Sequence, residues 1–160
     1  MRYVVAGDAR FVSAVRAVLE SSSSWAGELV VWTDRGPIDF YIWLADPVEA
    51  TSRCGVWPGV TEEWQHNVSC SFGNMVVINS DRWYGGREEP PMSVPVWRQF
   101  IINHEVGHQL GQPDGGPCSV MNPRVCPGGV GERGPWPAEP DDQLRALARE
   151  WLANYRTPTA

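Results

Sequence analysis

Residues 104–114 read HEVGHQLGQPD and hold two of the three histidines in a chain of 160 residues. The ten residues before them, VPVWRQFIIN at 94–103, are apolar around most of a helical circumference. Together they predict one buried helix, capped by Ser93, with Pro95 tolerated in its first turn and Gly111 at its end. Residues four apart on a helix share a face, so His104 and His108 point the same way with Glu105 beside them. Such polar groups on a buried helix are costly unless they are paired or bind a metal, and two imidazoles at this spacing suit zinc. Zinc needs a third protein ligand, and a catalytic site leaves its fourth position open for water. Gly111 can adopt the left-handed conformation that ends a helix and reverses the chain, which swings Asp114 back toward the imidazoles. His66, Glu62 and Glu63 are the alternatives, but they show no ligand-like spacing, and Asp114 is the expected third ligand.

Outward from this helix, the chain alternates strand and helix before a loop-rich end. RYVVAG at 2–7 reads as a strand, and Asp8 can cap an amphipathic helix through Phe11, Val15, Val18 and Leu19. ELVVWTD at 28–34 and IDFYIWLAD at 38–46, joined by the turn DRGP, have the β-branched and aromatic content of central strands. Pro, Gly, Ser and Cys make 47–73 a long loop, after which MVVINS at 75–80 returns as a short strand. Beyond Gly111 lie about 28 residues dense in Gly and Pro, expected to be irregular. A final helix opens at Pro140, and its Leu144, Leu147, Ala148, Trp151 and Leu152 should form one face packed on the lower half of the domain.

Composition narrows the class. At this length and 42% hydrophobic residues the chain forms one domain over 1–160. No apolar run approaches the roughly 20 residues that cross a bilayer, so no membrane insertion is expected. A net charge of −6, with no basic run, lacks the electrostatic footprint of nucleic-acid binding. MRYVVAGDARF meets acid and base within its first residues and reads as a strand, not a secretory leader. Either the chain is already processed after export, or it leaves its cell by another route such as lysis. The four cysteines fall into two local pairs, Cys54 with Cys70 and Cys118 with Cys126. Sequence alone allows three connectivities; neighbour pairing, and with it an oxidising, extracellular destination, is the expectation.

HEVGHQLGQPD resembles the extended zinc motif of the metzincin endopeptidases, HExxHxxGxxH, in the form where Asp replaces the last His. That form is similar to the snapalysins, the small secreted neutral proteases of Streptomyces. GGPCSVMNPRVC and GPWPAEPDDQLRALAREWLAN follow in a similar order of cysteine, methionine, cysteine, aromatic-Pro and terminal helix. Upstream, SC before MVVINSDRW, and WRQFIINHEVGH, resemble an actinobacterial family of uncharacterised metalloproteases. No tyrosine follows shortly after Met121, which departs from the wider metzincin pattern.

The resemblance implies an α+β fold: a twisted, mostly parallel sheet with a backing helix, an active-site helix above the cleft, and a small irregular lower subdomain ending in a helix. The upper part would span about 1–111 and the lower about 112–160. It implies one catalytic Zn2+ on His104, His108 and Asp114, and Glu105 as the general base for water attacking a peptide bond. Met121 takes the place of the methionine in the Met-turn beneath the metal, inside the Cys118–Cys126 loop. The substrate is an extended polypeptide pairing with MVVINS at the rim. Residues 123–137, with Trp136 and Trp83, would shape the pocket after the scissile bond. A secreted monomer follows; a structural Ca2+ has no ligand pattern in the sequence. The alternative expectations are a structural or virion-associated zinc module with little proteolysis, and a cell-wall peptide hydrolase.

Overall fold

The computed structural model describes residues 1–21, 24–55, 68–85, 93–114, 120–121 and 139–155. They form an α+β domain around a five-stranded sheet of order β2-β1-β3-β5-β4. The strands are β1 (Arg2–Ala6), β2 (Val31–Trp32), β3 (Phe40–Ala45), β4 (Cys70–Phe72) and β5 (Met75–Asn79). Each pairing is parallel except β4 with β5. Five helices are described: α1 (Ala9–Glu20), α2 (Pro47–Cys54), α3 (Ser80–Gly85), α4 (Val94–Gln109) and α5 (Glu139–Tyr155).

The two-residue side-chain period of the strands splits the sheet between two cores. Tyr3, Val5, Phe40, Ile42, Val76 and Ile78 face the main cluster, where α1 contributes Phe11, Val15 and Leu19, and α4 contributes Phe100, Ile101, Ile102 and Val106. On the other face, Ala45 and Val77 pack with Ala50 of α2, beside Cys54 and Cys70. Residues 76–78 are fully buried, as expected of a strand with a layer on each side. Asp8 caps α1 as anticipated, its carboxylate accepting from the N–H groups of Arg10 and Phe11.

Several expectations need correction. Of 28–34, only Val31–Trp32 is strand. Among the described residues β2 is an edge strand paired to β1, and Val31 is 64% exposed. The chain is still turning just before it, with Leu29 N–H donating to the Ala26 carbonyl. The segment 47–73 is not one loop. Asp46 accepts from Glu49 N–H and Pro47 opens α2, a cap and first turn legible in DPVE, while β4 closes the segment at the sheet edge. The Cys54–Cys70 disulfide joins those two elements. Ser93 sits at the N-cap of α4 but makes no side-chain cap hydrogen bond.

The terminal helix also differs from expectation. Leu147 is exposed, while Ala148 and Leu152 join the main core. Arg145 Nε donates to the Trp25 carbonyl, Arg149 pairs with Glu28, and Trp151 lies against Gly111. α5 therefore packs on the 24–28 turn and the end of α4, in one core cluster with Val120 and Met121, while 122–138 of the expected lower part lies outside the described residues. Cys118, Cys126, His66, Glu62, Glu63, Trp136 and the segment 123–137 lie outside the described residues.

Candidate metal centre and cleft

The 3.6-residue period of α4 lines up Trp97, Ile101, His104 and His108 as one stripe, which faces a cleft of about 380 Å³. The opposite wall is the β4 segment, with Ser69, Cys70 and Ser71; Arg82 of α3 closes one end. β4 is held against α4 by Gln109, whose Nε2 donates to Ser71 Oγ at 2.6 Å. Among the described residues β4, not β5, is therefore the edge strand of the sheet at the cleft. β5 is covered on both sides by β3 and β4, which corrects the expectation that MVVINS forms the rim. Trp83 likewise lies away from the cleft, 1% exposed and edge-on to Phe11.

His104, His108 and Asp114 are brought together as anticipated, by a helix end of defined form. Gln112 N–H donates to the Gly107 carbonyl and Gly111 N–H to the His108 carbonyl, with Gly111 at φ +75°. This is the Schellman pattern, and it needs a residue that tolerates left-handed backbone. The reversal puts the Gln112 carbonyl 2.8 Å from His108 Nδ1, and the Val120 carbonyl lies 2.8 Å from His104 Nδ1. A carbonyl only accepts, so each Nδ1 carries the hydrogen; a neutral ring then has a bare Nε2 lone pair turned toward Asp114, whereas a protonated His104 donates from Nε2 to that carboxylate.

Asp114 Oδ1 lies 3.3 Å from His104 Nε2 and 3.4 Å from His108 Nε2. Zinc bonds of about 2.0–2.1 Å at tetrahedral angles separate ligand atoms by roughly 3.3 Å. The donor set and its spacing thus fit a small tetrahedral cation, and carbonyl-anchored imidazoles are the usual outer support of such a site. His104, Glu105 and His108 form a further grouping with ligand atoms within 4.8 Å of one another.

The ionisation of these groups follows from burial and from one another. The His104 hydrogen bond holds the Asp114 carboxyl below its ordinary range, against some burial. Burial depresses His104, but its Asp114 hydrogen bond, the Glu105 charge and the Val120 carbonyl outweigh this and leave it raised. Burial, then the neighbouring His104, lowers His108. Glu105 is 5% exposed, and burial pushes its carboxyl up to about 7, with the His104 and Arg82 charges opposing. A carboxyl that exchanges its proton near neutrality, beside a metal-competent pair of imidazoles, can serve as acid and base in one cycle.

Beneath the helix, Met121 is fully buried against Gly107. A Cβ on Gly107 would collide with Met121 Sδ and come within 3.0 Å of Trp25 Cζ2. The glycine inside HEVGH is thus a packing requirement, since helix propensity alone disfavours it. Sequence reasoning passed over Gly107, Gln109 and Gln112. A glycine in the middle of an otherwise sound helix was the available signal for the first; nothing local marks the other two.

Fold and site together define an α+β domain with a histidine-carboxylate cluster set in a cleft at the sheet edge. The chain belongs to the family described as "Protein of unknown function (DUF3152)", whose model matches residues 2–124. No curated protein and no solved structure matches it.

Proposed function

We propose that this protein is a zinc-dependent endopeptidase of metzincin type. The convergence of His104 Nε2, His108 Nε2 and Asp114 Oδ1, at 3.3 and 3.4 Å, carries the reading. The parallel sheet with one antiparallel edge strand at the cleft, and Met121 packed under Gly107, agree with it. His104, His108 and Asp114 would hold the ion. When bound, zinc supplies Lewis acidity toward water and toward a peptide carbonyl. Glu105, whose carboxylate lies within 4.8 Å of the ligand atoms of His104 and His108, would take the proton of the attacking water and return it to the leaving amine nitrogen. β4, the edge strand among the described residues, would offer main-chain donors and acceptors on which an extended peptide can be laid beside the helix. The Cys54–Cys70 bridge supports an oxidising, extracellular destination. None of the described helices is long and apolar enough to cross a membrane.

Zinc analysis together with casein digestion tests this reading. The purified protein should contain one zinc per chain and cut casein in a chelator-sensitive way. Glu105→Gln should keep the zinc but turn over about a hundredfold to ten-thousandfold more slowly, the usual range for losing a general base. Zinc binding without cleavage of any polypeptide, or full activity in Glu105→Gln, rejects the mechanism.

A further inference from the structure

The two walls of the cleft are held in place differently. Ile101, His104 and His108 are fixed to one another by their helix, whereas Ser69, Cys70 and Ser71 come from β4 and the residue before it, whose distance from α4 must be set separately. β4 pairs with β5 only through Cys70 with Val77, Ser71 with Val76 and Phe72 with Met75. So short a pairing fixes register within the sheet but leaves the tilt of the β4–β5 hairpin toward the helix soft. The Cys54–Cys70 bridge ties the opposite face of β4 to α2, and Ser69 Oγ accepts from Asn79 N–H at 3.1 Å. Neither of these contacts refers the wall to α4.

Gln109 supplies that reference. Its Nε2 donates to Ser71 Oγ at 2.6 Å and to the Met75 carbonyl at 3.4 Å, so one amide grips both strands of the hairpin. A carbonyl only accepts, which turns the NH2 end of the amide to the strands. Gln109 follows His108 in the chain and points about 100° further round the helix, so one turn of α4 carries both a metal-site imidazole and the grip on the wall. The side chain is 7% exposed and, among the described residues, is not part of the cleft lining. A buried amide is costly unless it is hydrogen-bonded, and an apolar side chain would fill the same place without that cost. What the amide adds is a directed bond of fixed length.

We propose that Gln109 is a positioning residue: by clamping Ser71 to the turn that carries His108, it sets the width of the cleft and so the line along which a bound peptide lies relative to the metal ligands. This rests on the peptidase reading above. Gln109 acts through the wall, not on the reacting atoms. Wall contacts are made alike by bound substrate and by transition state, so their loss raises KM and leaves kcat in place.

The test compares the zinc-loaded full chain with Gln109→Leu, Ser71→Ala, their double variant and Ser71→Thr. The substrate is a quenched fluorescent peptide copied from a casein site that the protein cuts. Gln109→Leu and Ser71→Ala should each raise KM about threefold to tenfold, the range for a lost hydrogen bond, with kcat within about twofold and zinc content unchanged. The double variant should be no worse than the worse single one, because both remove the same contact. Ser71→Thr keeps the hydroxyl and should keep the parent KM. A second readout needs no turnover: in the Glu105→Gln background, the affinity for fluorescein-labelled casein, followed by anisotropy, should fall by the same factor. A lower Tm, zinc content or kcat with KM and casein affinity unmoved marks a structural role only and overturns the clamp, while casein cleavage by the parent leaves the peptidase standing. Casein affinity that depends on Gln109 and Ser71, with no polypeptide cut, does the reverse. If Gln109→Leu does not fold, Ser71→Ala decides, since it removes only the acceptor on a half-buried edge strand.

Discussion

Gly111→Ala should damage both stability and the metal centre, through two separable effects. At φ +75° an alanine pays the left-handed penalty, about 1–2 kcal/mol. Its Cβ would also sit 2.5 Å from Trp151 Cδ1 and Nε1, so α5 or the turn must give by about 1 Å to restore normal contact. Overpacking of that kind costs about 1–3 kcal/mol, and the stiffer unfolded chain returns about 0.4–1 kcal/mol. The net expectation is a loss of about 1–5 kcal/mol, centred near 3, or roughly 2–18 °C in Tm for a chain of this size. Urea unfolding of the parent, Gly111→Ala, Trp151→Ala and the double variant separates the parts. In the Trp151→Ala background the glycine substitution should cost only the backbone share. The same turn carries the Gln112 carbonyl onto His108 Nδ1 and positions Asp114, so zinc affinity should fall about 10–100-fold, as when outer support of a ligand is lost. A cost below about 0.5 kcal/mol, or an equal cost with and without the Trp151 ring, refutes the reasoning.

Gly107→Ala should destabilise by about 1 kcal/mol, because overpacking against Met121 and Trp25 exceeds the helix-propensity gain. In an open helix the same change stabilises, so the sign measured by chemical unfolding decides. Replacing Cys54 and Cys70 together by Ser should cost about 3 kcal/mol, the value for closing a loop of this length; a loss below about 1 kcal/mol would show that β4 is held without the bridge. The Asp8 carboxyl is held below its ordinary value of 3.8, first by the Tyr84 hydroxyl and then by the Phe11 N–H. Its contribution is therefore complete above the unfolded pKa and disappears as pH falls through the folded one. The Tm advantage of the parent over Asp8→Asn should shrink steadily below pH 3.8. An advantage independent of pH from neutrality downward would contradict that linkage.

What was legible in the sequence was what local periodicity and local chemistry encode. HEVGHQLG carries a helix that sets two imidazoles on one face and a glycine that ends it, and these depend on neighbours within a few turns. The same holds for β1, the Asp8 cap and the central placement of β3, where alternation and turn residues decide. Asp114 could be anticipated because a Schellman ending reverses the chain within a few residues, so its side chain returns to a helix already known. Even the Cys54–Cys70 pairing was local in this sense, with a sequence separation of 16.

Tertiary structure alone decided which strand ends at water. β2 looked as apolar as β3, yet it lies at an edge, because two paired residues suffice there and helices cover the sheet elsewhere. β4 was too short for alternation to mark it, and only its pairing with β5 and its tie to Gln109 make it the cleft wall. The carbonyls of Gln112 and Val120 that orient the imidazoles cannot be read from residue type, since every residue has a carbonyl. Arg82 enters the cleft because α3 leaves β5 without a loop and α4 pins it, a placement that depends on where two elements meet in space. Such meetings are set by packing of the whole core, which no window of a few residues contains.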